Sequence, residues 1–179
     1  MRRVPLKFSY LGTRNYVHGT DIYKEIVKNV RLIGFNDWEY FQLNLIKLCR
    51  FNMVCFLSDE RCRHSEEVAN FVVVDGQRHL FGSVIVDESS RIQSRRSFDE
   101  RNITKHCVID YRKNKVTYCN SSNSQATIDV IILMSKQYLE NAIDGSVKCF
   151  FRTVKFVRPI DEIEASLISM KKIAQKMNI

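Results

Sequence analysis

Gln125-Ala-Thr-Ile-Asp-Val-Ile-Ile-Leu-Met-Ser-Lys-Gln-Tyr-Leu-Glu-Asn-Ala-Ile143 is the stretch on which the fold turns. It reads as a helix whose first two turns have almost no polar face, because Ala126, Ile128, Val130, Ile131, Ile132, Leu133 and Met134 crowd every side and only Asp129 breaks the pattern. A helix that is apolar nearly all round must be covered, and in a small chain the economical cover is a curved sheet wrapped around it. The polar run 120–124 supplies capping oxygens before this helix, and Gly145 ends it.

Working outward, residues 107–111 and 116–119 read as a hairpin before the helix, and Val147 to Val157 as a long strand after it, stopped by Pro159. Asp161 to Met177 has an apolar stripe of Ile163, Leu167, Met170, Ala174 and Met177 and predicts a final amphipathic helix. Residues 87–102 are polar and without periodicity, which predicts a long surface loop or a join between two halves. Phe71 to Val86 reads as a hairpin turning at Asp75-Gly76, and Trp38 to Leu57 as two long strands rich in aromatic and branched residues. Ahead of these, Ile22, Ile26, Val30 and Ile33 mark one face of a helix that starts at Thr20 as N-cap, with Asp21 in its first turn. Residues 7–11 read as a short strand stopped by Gly12.

Composition narrows the classes. The chain has 179 residues, 45% hydrophobic and 11% aromatic, which suffices for a packed core and excludes wholesale disorder. Six glycines and two prolines exclude a collagen-like chain and imply long regular elements. The six cysteines include no C-x-x-C pair, and most fall in apolar runs where they act as small core residues. Cys62, His64 and Glu66 are the one local group of metal-ligand types, but a second close pair is missing, so no metal and no cofactor are expected. The apolar run Val130–Met134 is far too short to cross a bilayer, and the basic start has no signal-peptide core. A cytoplasmic protein without membrane contact is the expectation.

Net charge is +8, distributed as +5 over residues 1–35, −4 over 36–90, +5 over 91–120 and +2 over 121–179. The excess makes an anionic partner plausible. Arg91, Arg95, Arg96, Arg101 and Lys113 are either a phosphate footprint or a solvated basic face. No zinc-finger spacing, aromatic RNA-binding strand or GXXG loop accompanies them, and neither a G-x-S-x-G elbow nor a Gly-rich phosphate loop is present.

Strand, helix and four further strands, then a mostly apolar helix and a long strand, resembles the hotdog fold, in which an antiparallel sheet curls around a central helix. The resemblance covers residues 7–86 by order of elements and 105–157 more loosely. It implies an α+β fold, either one domain over 1–179 or a tandem of two hotdog-like halves, 1–90 and 103–179. It also implies acyl-thioester chemistry of the thioesterase or hydroxyacyl dehydratase kind, on an acyl-CoA or acyl-carrier substrate. The positions that match by place are His18 and Asp21, in Tyr16-Val-His18-Gly19-Thr20-Asp21, and Asp129 or Glu140 on the second helix.

The residues make part of this case themselves. An imidazole exchanges protons near neutral pH, Gly19 lets a substrate approach the backbone, free N–H groups at a helix start can polarise a thioester carbonyl, and Gly19 and Thr20 are the residues expected to meet the substrate there. Against this stands the plain alternative, in which His18 makes a turn hydrogen bond and Asp21 is an ordinary first-turn carboxylate. Asp129, amid branched side chains, must reach solvent, meet a donor or line a cavity. In the thioester reading Arg91, Arg95 and Arg96 meet the substrate's phosphates. In the alternative, the chain is a noncatalytic basic module for nucleic acid or an acidic protein. Long aromatic strands with open edges lead to the expectation of a homodimer.

Overall fold

The computed structural model describes residues 1–110, 112, 115–118, 127–142, 152–156 and 168–169. In chain order the elements are β1 (Arg2–Leu6), β2 (Tyr10–Leu11), α1 (Gly19–Leu32), β3 (Tyr40–Leu45), β4 (Phe51–Ser58), β5 (Glu67–Asp75), β6 (Arg78–Arg91), β7 (Arg95–Arg96), α2 (Arg101–Thr104), β8 (Cys107–Asp110), β9 (Lys115–Tyr118), α3 (Thr127–Ala142), β10 (Thr153–Phe156) and β11 (Ile168–Ser169). The protein is α+β, and its backbone divides into two units: Met1–Phe98 with Phe151–Ile160, and Asp99–Phe150 with Asp161–Ile179.

The first unit is built on a six-stranded antiparallel sheet in the order β1-β4-β6-β5-β3-β10. Alternation along each strand sends one set of side chains inward. Phe41, Leu43, Met53, Cys55, Leu57, Phe71, Val73, Leu80 and Val84 are all buried. The helix α1 turns its own stripe of Ile22, Tyr23, Ile26, Val27 and Val30 to the core, with Tyr23 edge-on to Phe41 at 5.4 Å and to Phe156 at 5.5 Å. Two glycines are required here. Gly76, at φ 58, makes the two-residue turn between β5 and β6, as the Asp-Gly pair predicted. Gly82 faces Phe71 across the strands, and a Cβ there would stand 2.0 Å from the ring.

On the opposite face of the same sheet a chain of polar side chains runs across β3 and β5. Tyr40 donates its hydroxyl to Gln42 at 2.6 Å, Gln42 donates to Asn44 at 3.0 Å, Asn44 to Asn70 at 2.9 Å, and Asn70 to the Glu67 carboxylate at 2.9 Å. Burial pushes the Glu67 carboxyl up, but the hydrogen bonds from Asn70 and the His64 amide, with the His64 ring nearby, together hold it below the ordinary 4.5. Exposed Glu66 is also held below 4.5, by the Lys47 ammonium 2.8 Å away. A carboxyl depressed on folding stabilises the fold above its unfolded value and loses that contribution as pH falls through the folded one. Stability should therefore drop on acidification below 4.5, and less steeply in Asn70→Ala. Urea midpoints at neutral and acid pH check this, and an unchanged acid slope in that variant would contradict it.

Several sequence expectations change. The first strand is Arg2–Leu6 rather than residues 7–11, of which only Tyr10–Leu11 is extended. Pro5 is acceptable because β1 is an edge strand, and Arg2 and Arg3 there discourage further pairing. Residues 87–102 are not one loop, since β6 runs on to Arg91, and β7 and α2 follow. Thr20 is not the N-cap of α1; His18 occupies that position in an extended conformation, φ −74° and ψ 140°.

In the second unit, β8 and β9 pair as the expected hairpin, and β11 adds to β9. The predicted helix over 161–177 lies outside the described residues except at Ile168–Ser169, which are extended and face Val116 and Lys115. The apolar helix forms as α3, and its neighbours are β9 and α2. Ile128, Val130, Leu133, Met134 and Tyr138 are buried, whereas Ile131 and Ile132 are half-buried. A Lys136–Glu100 ion pair at 2.8 Å links α3 to the residue that opens α2. Of the predicted strand 147–157 the described part is β10, which belongs to the first unit and pairs with β3.

Candidate site at the head of the first helix

The chain reaches α1 through a segment held at several points. Phe8 N–H donates to the Asn52 side chain at 2.8 Å, Tyr10 Oη donates to the Arg50 carbonyl at 2.7 Å, and Val17 N–H donates to the Cys49 carbonyl at 2.8 Å. The N–H groups of Asp21 and Ile22 close the first turn on the His18 carbonyl, at 3.0 and 3.2 Å. Those of Gly19 and Thr20 precede the first intrahelical bond and point out of the helix end.

At this end the structure pairs His18 with Thr20 and Asp21 with Arg96. His18 Nδ1 lies 2.8 Å from the Thr20 hydroxyl, which fixes one ring nitrogen. Thr20 is wholly buried and Asp21 is 8% exposed. One carboxylate oxygen of Asp21, Oδ1, accepts from the Arg96 guanidinium and lies 3.6 Å from Lys24 Nζ. The other, Oδ2, is buried and has no hydrogen-bond partner. An acceptor in that position costs free energy, so its retention needs the helix dipole and the Arg96 charge around it.

Arg95 and Arg96 form β7, which pairs in parallel with β2. Arg95 donates to the carbonyls of Gly12 and Arg14 and lies over the Tyr10 ring at 5.2 Å. Two of the three predicted phosphate-binding arginines, Arg95 and Arg96, are therefore committed to bonds within the chain. Arg91, at the end of β6, is exposed, and its guanidinium has no partner among the described residues. Removing Arg96 would leave Asp21 with only the looser Lys24 contact. We expect Arg96→Ala to destabilise the first unit by about 1–2 kcal/mol, less than a fully buried pair because the Arg96 side chain is 43% exposed. Adding Asp21→Asn should recover most of that loss in a urea titration, and no recovery would contradict the pairing.

Asp129 belongs to the second unit, on α3, where it is 5% exposed and partnered. Glu140 lies in α3, and its side chain and Lys113 fall outside what the structure describes. Sequence reading gave no sign of the Asp21–Arg96 pair, since 75 positions separate the two.

Among the described residues the other reactive groups do not form a second centre. Burial raises the thiol of Cys49 and pushes that of Cys55 up to about 12, so neither is a thiolate nucleophile at neutral pH. His64 stacks on Phe56 at 4.7 Å, His79 lies parallel to Phe81, and His106 is edge-on to Tyr118. Among the described residues no three potential ligands come close enough to hold a metal ion, and no helix is long and apolar enough to cross a membrane. Comparison with protein families, with characterised proteins and with solved structures returns no match for this chain.

Proposed function

We infer that the head of α1 binds and processes an acyl thioester, carried by coenzyme A or an acyl-carrier protein. The observation that carries this reading is the His18 imidazole fixed by Thr20 at 2.8 Å, beside the amide end of a 14-residue helix and the buried Asp21 carboxylate. In hydrolysis, His18 takes a proton from water as its oxygen attacks the thioester carbonyl. The negative charge that develops on the carbonyl oxygen is met by the Gly19 and Thr20 N–H groups, and the departing thiolate takes the proton back from the imidazolium. Asp21 stabilises the imidazolium form electrostatically while Arg96 holds the carboxylate in place.

An antiparallel sheet carrying one helix on its apolar face is consistent with the hotdog resemblance, and the tandem form of that fold is part of the same proposal. Homodimerisation and a cytoplasmic location belong with it as well. Arg91, exposed and with no guanidinium partner among the described residues, is the arginine left to meet a substrate phosphate. The noncatalytic basic module has less support, because Arg95 and Arg96 are already engaged.

The test is release of free thiol from a panel of acyl-CoA esters of increasing chain length, together with hydration of their enoyl forms, using the full chain. Turnover of at least one member supports the reading. No turnover, combined with nucleic-acid binding that weakens steeply with salt, would replace it with the basic module.

A further inference from the structure

Ser94 stands in Arg91-Ile-Gln-Ser94-Arg95-Arg96, with arginines three positions before it and immediately after it and no acid between 91 and 96. It is exposed, and its hydroxyl lies 2.7 Å from that of Ser9, which is the contact a modification there would replace. The backbone around it forms a clasp. Tyr10 N–H donates to the Ser94 carbonyl at 3.0 Å and Gly12 N–H to the Arg96 carbonyl at 2.9 Å. Ser94 stands two residues before Arg96, the residue that holds Asp21.

We propose that Ser94 is a phosphorylation site whose phosphate takes Arg96 from Asp21 and opens the clasp between β2 and β7. The modifying partner is a serine kinase with an acidic substrate groove, which the surrounding arginines complement. In the transfer, Ser94 Oγ attacks the γ-phosphorus of a nucleoside triphosphate. The new O–P bond forms as the bond to the β,γ-bridging oxygen breaks, the nucleoside diphosphate leaves with the electron pair, and the hydroxyl proton passes to the kinase's base. The phosphoserine carries about −1.5 to −2 charges against the single charge of a carboxylate, so it outcompetes Asp21 for the guanidinium. Arg91, exposed and uncommitted, is the arginine read before the acceptor. This inference is independent of the thioester reading, since it concerns the clasp and its readout needs no turnover.

The experiment incubates the full chain with ATP and a purified serine kinase that prefers arginine three residues before its acceptor, maps the product by mass spectrometry, and follows backbone amide exchange. Phosphate is expected on Ser94, absent in Ser94→Ala, retained in Ser97→Ala, and incorporated about tenfold more slowly in Arg91→Ala. The amides of Tyr10 and Gly12 should exchange about tenfold faster in the modified chain. Labelling that persists undiminished in Ser94→Ala, or no labelling of the wild-type chain, overturns the site. Labelling of Ser94 with unchanged exchange at Tyr10 and Gly12 overturns the switch.

Discussion

His18→Ala should lower kcat/KM for acyl-CoA turnover by about 10²–10⁴-fold, the usual contribution of a positioned general base. Thermal stability should stay nearly unchanged, because the side chain makes no capping hydrogen bond to α1 and the helix closes on the backbone carbonyl of His18. The bond that matters is to Thr20 at 2.8 Å. It fixes the orientation of the ring. Thr20→Val, which removes that bond at nearly constant volume, should reduce kcat more than it raises KM. If His18→Ala keeps full activity with a normal melting curve, His18 is a turn residue and the proposed chemistry is lost.

Phe41→Ala carries the largest expected cost to folding, about 3–5 kcal/mol. Phe41 is wholly buried, and its ring meets Tyr23 at 5.4 Å, Trp38 at 5.7 Å, Phe71 at 6.0 Å and Phe156 at 6.5 Å. It is the residue through which the helix, the loop before β3, and strands β5 and β10 share one core. Truncation removes the transfer energy of the ring and leaves a cavity that four other aromatic rings cannot jointly fill. Against a total stability of about 5–15 kcal/mol this removes much of the margin. Urea unfolding followed by the fluorescence of Trp38, the single tryptophan, reads it directly. A change below about 1 kcal/mol would contradict the central position given to this ring.

How much of this was legible in the sequence depends on the range of the interaction. The α1 stripe of Ile22, Ile26 and Val30, the Asp75-Gly76 turn and the hairpin of β8 and β9 are set by neighbours a few residues apart, and periodicity shows them. The apolar stretch from Thr127 forms a helix as read, but its pattern could not say which strands would be its neighbours. Strand β1 was missed because Arg2, Arg3 and Pro5 show no alternating apolar pattern, and their pairing with Leu57, Phe56 and Val54 is a long-range event. The same holds for the site. His18, Gly19, Thr20 and Asp21 adjoin one another in sequence, so their grouping was readable, whereas the approach of Arg96 depends on the parallel pairing of Leu11 with Arg96. The charge of Arg95 and Arg96 suggested outward contacts; in the fold these guanidiniums face carbonyls and a carboxylate of the same chain.

The most direct test follows the His18 imidazole by NMR during titration with a non-hydrolysable thioether analogue of an acyl-CoA. Saturable movement of the His18 ring resonances and of the Gly19 and Thr20 amides, with His64 and His79 unmoved, is the predicted result. Binding that leaves those signals in place, or no binding at all, would contradict a thioester site at the head of this helix.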